Sequence, residues 1–170
     1  MPAKISRDFG QPGKQSSKVP SFSTKRRVGH TASDMFNLVA DVERYPQFVP
    51  LCSALRVRSR NTKGDIETIV AEMTVAYKLI RQTFTSRVTL DRANQTIMVE
   101  YLDGPFNRLQ NRWSFHPVDG GTTEVEFLID YEFKSRTLAM LMGAMFDTAF
   151  RRFADAFERR ADAVYGKRTG

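Results

Sequence analysis

The 170-residue sequence predicts an α+β fold: a curved antiparallel sheet of about seven strands wrapped around one long C-terminal helix, with short helices after the first strand. Two observations carry this expectation. From Leu55 to Phe133, apolar and polar residues alternate with a period of two, the signature of consecutive half-buried strands. From Ser135 to Tyr165 there is no proline and one glycine, and Leu138, Leu141, Met142, Met145, Phe146, Ala149, Phe150, Phe153 and Phe157 recur at three- and four-residue intervals as one broad helical stripe. An isolated helix is marginal in water, so that stripe needs an apolar partner. A sheet with one apolar face supplies it.

Residues 1–20 contain Gly10, Pro12, Gly13 and Pro20 among scattered apolar residues, a composition that reads as a disordered leader. Ser21 to Gly29 is a short strand, and Thr31 or Ser33 caps a helix over Ala32 to Val42 whose buried side is Phe36, Leu38 and Val39. Pro46 and Pro50 then break the chain and leave Tyr45, Phe48 and Val49 on short irregular backbone, an apolar loop that must face something. Six strands follow, with Leu55, Val57 and Ser59 inward on the first of them and Asn61 to Gly64, Arg92 to Gln95, Asp103 to Pro105 and Asp119 to Gly121 as turns. Such short connections make neighbours antiparallel. The domain is expected to span residues 21–165, and residues 166–170 form a disordered tail.

One cysteine, Cys52, excludes an intramolecular disulfide, and no apolar run approaches the twenty or so residues of a membrane span. The net charge is +7, of which the leader carries +3. Lys25, Arg26 and Arg27, with the stripe Arg56, Arg58 and Arg60, are the candidates for contact with an anionic surface, membrane lipid or RNA; a solvated edge explains them as well. DNA is not among the expected partners.

The inward-facing positions offer almost no acid–base groups. They offer Tyr77, Tyr101, Tyr131, Gln82, Asn111 and Trp113 among aliphatic and phenyl groups, which suits a pocket that orients an apolar ligand, and equally a filled core with tyrosines at its rim. On the helix, Leu138 to Phe146 is rich in methionine and contains Gly143, a residue that signals close approach to the backbone, whereas Phe150, Phe153 and Phe157 read as plain packing. His30, His116 and Cys52 form no metal or nucleophile constellation, so no cofactor and no catalysis are expected.

Three stretches together resemble a known family: Ser23 to Val28; Leu38 to Cys52, with its Tyr-Pro-x-Phe-Val-Pro-x-Cys core; and Gly104-Pro105-Phe106 followed by Leu109 and Trp113 to Phe115. They resemble the coenzyme Q-binding proteins, whose bacterial members are described as ribosome-association toxins (RatA) and as oligoketide cyclase or lipid-transport proteins. The resemblance implies a START-like helix-grip fold with a hydrophobic tunnel between sheet and helix. It implies that ubiquinone or a related isoprenoid lipid is bound, without catalysis, in support of respiratory electron transfer and quinone biosynthesis. Tyr45, Pro46, Phe48, Val49 and Pro50 would form the tunnel mouth, with Phe106, Leu109 and Trp113 along the wall. Val75, Tyr77, Asn111, Leu138, Met142, Met145 and Phe146 complete the expected ligand site. The expected location is cytoplasmic, or peripheral at the inner membrane, on the matrix side in a eukaryote. Two alternatives follow from the same resemblance: association with the large ribosomal subunit and, ranked last for want of an acid–base pair, an aromatase or cyclase.

Overall fold

The long helix predicted at the C-terminus, α2, runs over Arg136–Tyr165, its first turn capped by Ser135, whose hydroxyl accepts from the Leu138 N–H at 3.3 Å. It lies across the concave face of one seven-stranded antiparallel sheet in this computed structural model, which describes residues 21–167. The expected leader falls outside the described residues, as do residues 168–170 of the expected tail.

The strands are β1 (Ser21–Val28), β2 (Cys52–Lys63), β3 (Ile66–Tyr77), β4 (Ile80–Asp91), β5 (Thr96–Asp103), β6 (Phe106–Pro117) and β7 (Thr123–Phe133). Their order across the sheet is β1-β7-β6-β5-β4-β3-β2, a meander of six closed by the N-terminal strand on β7. Between β1 and β2 stand α1 (Ala32–Ala40) and a 3-10 turn over Val42–Gln47. Thr31, the first of the two predicted caps, accepts from the Asp34 N–H at 3.1 Å.

Alternation holds on β4, where Phe84, Ser86, Val88 and Leu90 are buried in turn, and on β7, where Val125, Phe127, Ile129, Tyr131 and Phe133 are. It fails on β2. Register shifts at Cys52/Ala54 and Val57/Ser59 bulge this edge strand, and Ser59, expected inside, is exposed.

α2 does not sit over the middle of the sheet. It rests on β1, β7 and α1: Phe153 and Phe150 meet Phe127, Phe157 meets Trp113, and Arg26 of β1 pairs with Asp155 and with Glu158. Its last turns are held by His30, 2% exposed, whose Nε2 lies 2.7 Å from Asp162 Oδ1. The inner faces of β2 to β5 therefore curl past the helix, and the loop after α1 closes over them. That offset leaves room.

Candidate functional site

The room is a cavity of about 100 Å³ walled by six strands, α2 and the loop after α1. From the sheet come Leu55, Ala71, Met73, Val75, Phe84, Ser86, Val88, Ile97, Val99, Leu109, Asn111, Trp113 and Ile129, nearly all at inward positions of the period-two pattern. From the loop come Val42, Tyr45, Val49, Pro50 and Leu51; from the helix Phe146, Ala149, Phe150, Phe153 and Phe157. Pro50, Leu51 and Ala149 also line an outer groove with Tyr77, Leu141, Ala144, Met145, Thr148 and Arg152, so this groove is the mouth of the cavity.

The loop is held by its own chemistry. Tyr45 donates its hydroxyl to the Val39 carbonyl and turns its ring edge to Phe48 and Phe157. Burial pushes the Tyr45 phenol above its ordinary range and the Cys52 thiol up to about 11, so both stay protonated at neutral pH. Leu51, at φ +67°, takes the left-handed backbone that non-glycine residues rarely adopt, and its carbonyl accepts from the Ala76 N–H at 3.0 Å. That bond ties the loop to the end of β3.

Of the residues expected at the site, Tyr45, Val49, Pro50, Val75, Leu109, Asn111, Trp113 and Phe146 are brought together on the cavity wall. Tyr77 and Met145 stand at the mouth. Pro46 is exposed, and Phe48 packs outside the wall against Phe157 with the Arg160 guanidinium over its ring. Phe106 is buried, but among the rings of Phe84, Tyr101, Phe133 and Phe146. Leu138 and Met142 pack into the core away from the wall.

Two expectations about α2 need correction. Phe150, Phe153 and Phe157, read as plain packing, line the cavity, whereas Met140 and Leu141 of the methionine-rich half are 84% and 60% exposed. The crossing is offset, so the helix meets the cavity along its middle. Among the described residues nothing lies within 4 Å of where a side chain at Gly143 would begin, so none of them approaches the backbone there. The close approach is at Gly104 instead: with φ +139°, its missing Cβ would stand 2.7 Å from Phe84 Cβ.

The polar tips also differ from expectation. The Tyr101 hydroxyl accepts from the Phe106 N–H at 3.3 Å, and Tyr77 is 42% exposed. Within the wall, Asn111 Oδ1, a tip that was expected, and Ser86 Oγ are buried with no hydrogen-bond partner among the described residues. Ser86 was missed because a serine at an inward strand position resembles an ordinary small core residue.

The basic rows are largely neutralised by neighbours. Lys25 pairs with Glu126, Arg26 with Asp155 and Glu158, Arg58 with Glu72, and Arg60 with Glu67 and Glu43. Among the described residues Arg27 and Arg56 make no ion pair.

Residues 28–158 match the family described as polyketide cyclase / dehydrase and lipid transport. The chain belongs to that family. Within it, the Escherichia coli (strain K12) ribosome association toxin RatA is 33% identical over 154 residues, covering 88% of this chain and 92% of the toxin. The mitochondrial coenzyme Q-binding protein homolog B of Xenopus laevis is 31% identical, over 89% of this chain but 62% of its own length. The solution structure of an 18 kDa protein from Caulobacter crescentus superposes with a TM-score of 0.72 at 35% identity, over 86% of this chain and 99% of that one. An aromatase/cyclase from a Streptomyces species reaches 0.73 at 15% identity, over 88% and 99%, and so shares the fold alone. The polyketide cyclase and lipid transport family thus accounts for the START-like sheet curled around its helix, as expected from the resemblance.

Proposed function

We propose that this protein is a carrier for an apolar ligand of the isoprenoid quinone class, which it holds in the cavity without transforming it. The observation that carries the reading is the wall itself: aliphatic and aromatic side chains from six strands, a loop and a helix converge on one space to which, among the described residues, no carboxylate, imidazole or amine contributes. Each methylene buried there contributes roughly 0.8 kcal/mol, enough for a few isoprene units to hold without any charged contact. The volume of about 100 Å³ lies below the roughly 300–1,000 Å³ of sites for drug-sized ligands, so a prenyl chain enters only as the wall moves. The mouth is where it gives. There Leu141 and Met145 of α2 line the groove together with Pro50 and Leu51 of the loop.

Lipid extraction of protein purified from a quinone-making host, followed by mass spectrometry, tests the reading. Quinone recovered in near-stoichiometric amount is the expected result; its absence from repeated preparations overturns it.

Ribosome association is a second reading, and the comparisons favour it over quinone binding. The ribosome association toxins align over almost their whole length, the coenzyme Q-binding homolog over a smaller part of its own. Contact with RNA by the expected faces would fall to Arg27 and Arg56, the two members of those rows that form no ion pair among the described residues. Co-sedimentation with ribosomes that weakens as salt rises, and again in the Arg27→Glu/Arg56→Glu variant, is the expected outcome. Sedimentation unchanged by either would remove that contact.

A further inference from the structure

Ser86 and Asn111 sit on the same inner face of the sheet, on β4 and β6, with β5 between them. Ser86 pairs with Tyr101 and Asn111 with Val99 across that strand. Ser86 is 5% exposed, yet its hydroxyl has no partner among the described residues, and the Asn111 amide oxygen is buried beside apolar groups in the same condition. A buried polar atom left unpaired costs stability that an alanine or leucine would not. The other hydroxyl of the wall, on Tyr45, is already committed to the Val39 carbonyl.

The two groups also have a place along the cavity. The mouth lies beside the end of β3, where Val75 pairs with Gln82. Ser86 is four residues further along β4, about 13 Å at the rise of an extended strand. Asn111 is likewise five residues into β6 from Phe106, at the end of the sheet where α2 begins. Both polar groups stand deep, while the mouth is rimmed by Leu51, Leu141 and Met145.

We infer that the ligand of this cavity carries an oxygen-bearing ring and is seated head inward, its ring oxygens hydrogen-bonded to Ser86 and Asn111, with its apolar tail trailing to the mouth. This rests on the ligand-carrier reading above and adds a chemical requirement to it. A quinone carbonyl accepts from the Ser86 hydroxyl or the Asn111 amide N–H, and a quinol hydroxyl also donates to the orphaned Asn111 Oδ1, so the pair matches the oxygens of a quinone or quinol ring. A hydrocarbon satisfies neither. The remaining wall is apolar and non-directional, so orientation depends on these two side chains.

The test uses the full chain with decylubiquinone and with farnesene, a prenyl hydrocarbon, followed through the fluorescence of Trp113, the single tryptophan, which lines the cavity. Ser86→Ala and Asn111→Leu are each expected to weaken decylubiquinone binding about three- to tenfold and to leave farnesene bound as tightly as by the parent or more tightly. Their thermal midpoints should equal or exceed that of the parent, because each removes an unpaired buried polar atom. A decylubiquinone analogue with a diazirine at the tail end should label peptides from residues 138–149. If the parent binds neither probe, the carrier reading itself falls. If it binds both and the variants bind decylubiquinone as the parent does, or lose both probes alike, or if the tail labels β4 or β6, the head-inward seat is wrong while the carrier reading stands.

Discussion

Ala71→Leu measures what the cavity costs and what it is for. Ala71 is buried on β3, lines the cavity, and pairs with Val57 on one side and Ser86 on the other, so a larger side chain there grows into the space. A cavity of about 100 Å³, at about 24 cal/mol per Å³, withholds roughly 2 kcal/mol from the fold. Leucine adds three carbons beyond the methyl, and at about 0.8 kcal/mol each their burial is of the same size. Some strain offsets the gain, leaving an expected stabilisation of about 1–2 kcal/mol, a rise of about 3–6 °C in Tm for a chain of this size. Urea unfolding followed by Trp113 fluorescence gives the free energy, with the slope m unchanged if the change is confined to the folded core. The same leucine occupies the ligand's place, so binding of decylubiquinone should fall at least tenfold. Stability raised and binding lost together are the mark of space kept for a ligand. A variant that is destabilised, or one that binds as before, would show that the space beside Ala71 is not the ligand's.

Two glycines should respond oppositely to alanine. Gly104→Ala places a Cβ against Phe84 at a φ of +139°, and should lose about 2–4 kcal/mol in urea unfolding. Gly143→Ala meets open space in a helix, and should gain up to about 1 kcal/mol in the same measurement. A loss at Gly143 would mean that something packs against α2 there after all. Alkaline titration reports the loop: burial raises the Cys52 thiol to about 11 from an ordinary 9.0, so its contribution to stability is complete below about pH 9 and is lost as pH rises through 11. The difference in urea midpoint between parent and Cys52→Ala should therefore change across that window, and no change would place the thiol in water.

Much of this molecule is local in origin and could be read from residue order. Strand alternation sets which side chains share a face, because successive Cβ atoms point to opposite sides of the sheet, and so Val75, Leu109, Asn111 and Trp113 were found for the cavity wall. The stripe on α2 and the serine that caps it are local in the same sense. The fate of the basic rows was not legible, because it depends on register. Arg56 stands opposite Glu72 in the ladder, yet it is Arg58, at the register shift between Val57 and Ser59, that pairs with that carboxylate, and among the described residues Arg56 makes no ion pair.

By itself, then, the sequence determined the elements, their order and the apolar face of each, since period and turn chemistry are properties of neighbouring residues. Only the tertiary structure decided where α2 crosses the sheet. That position follows from the curvature of seven strands and the summed bulk of both faces, and it makes Phe150, Phe153 and Phe157 wall rather than packing. The same crossing turns Met140 and Leu141 outward and leaves Ser86 and Asn111 facing a space that no local pattern encodes.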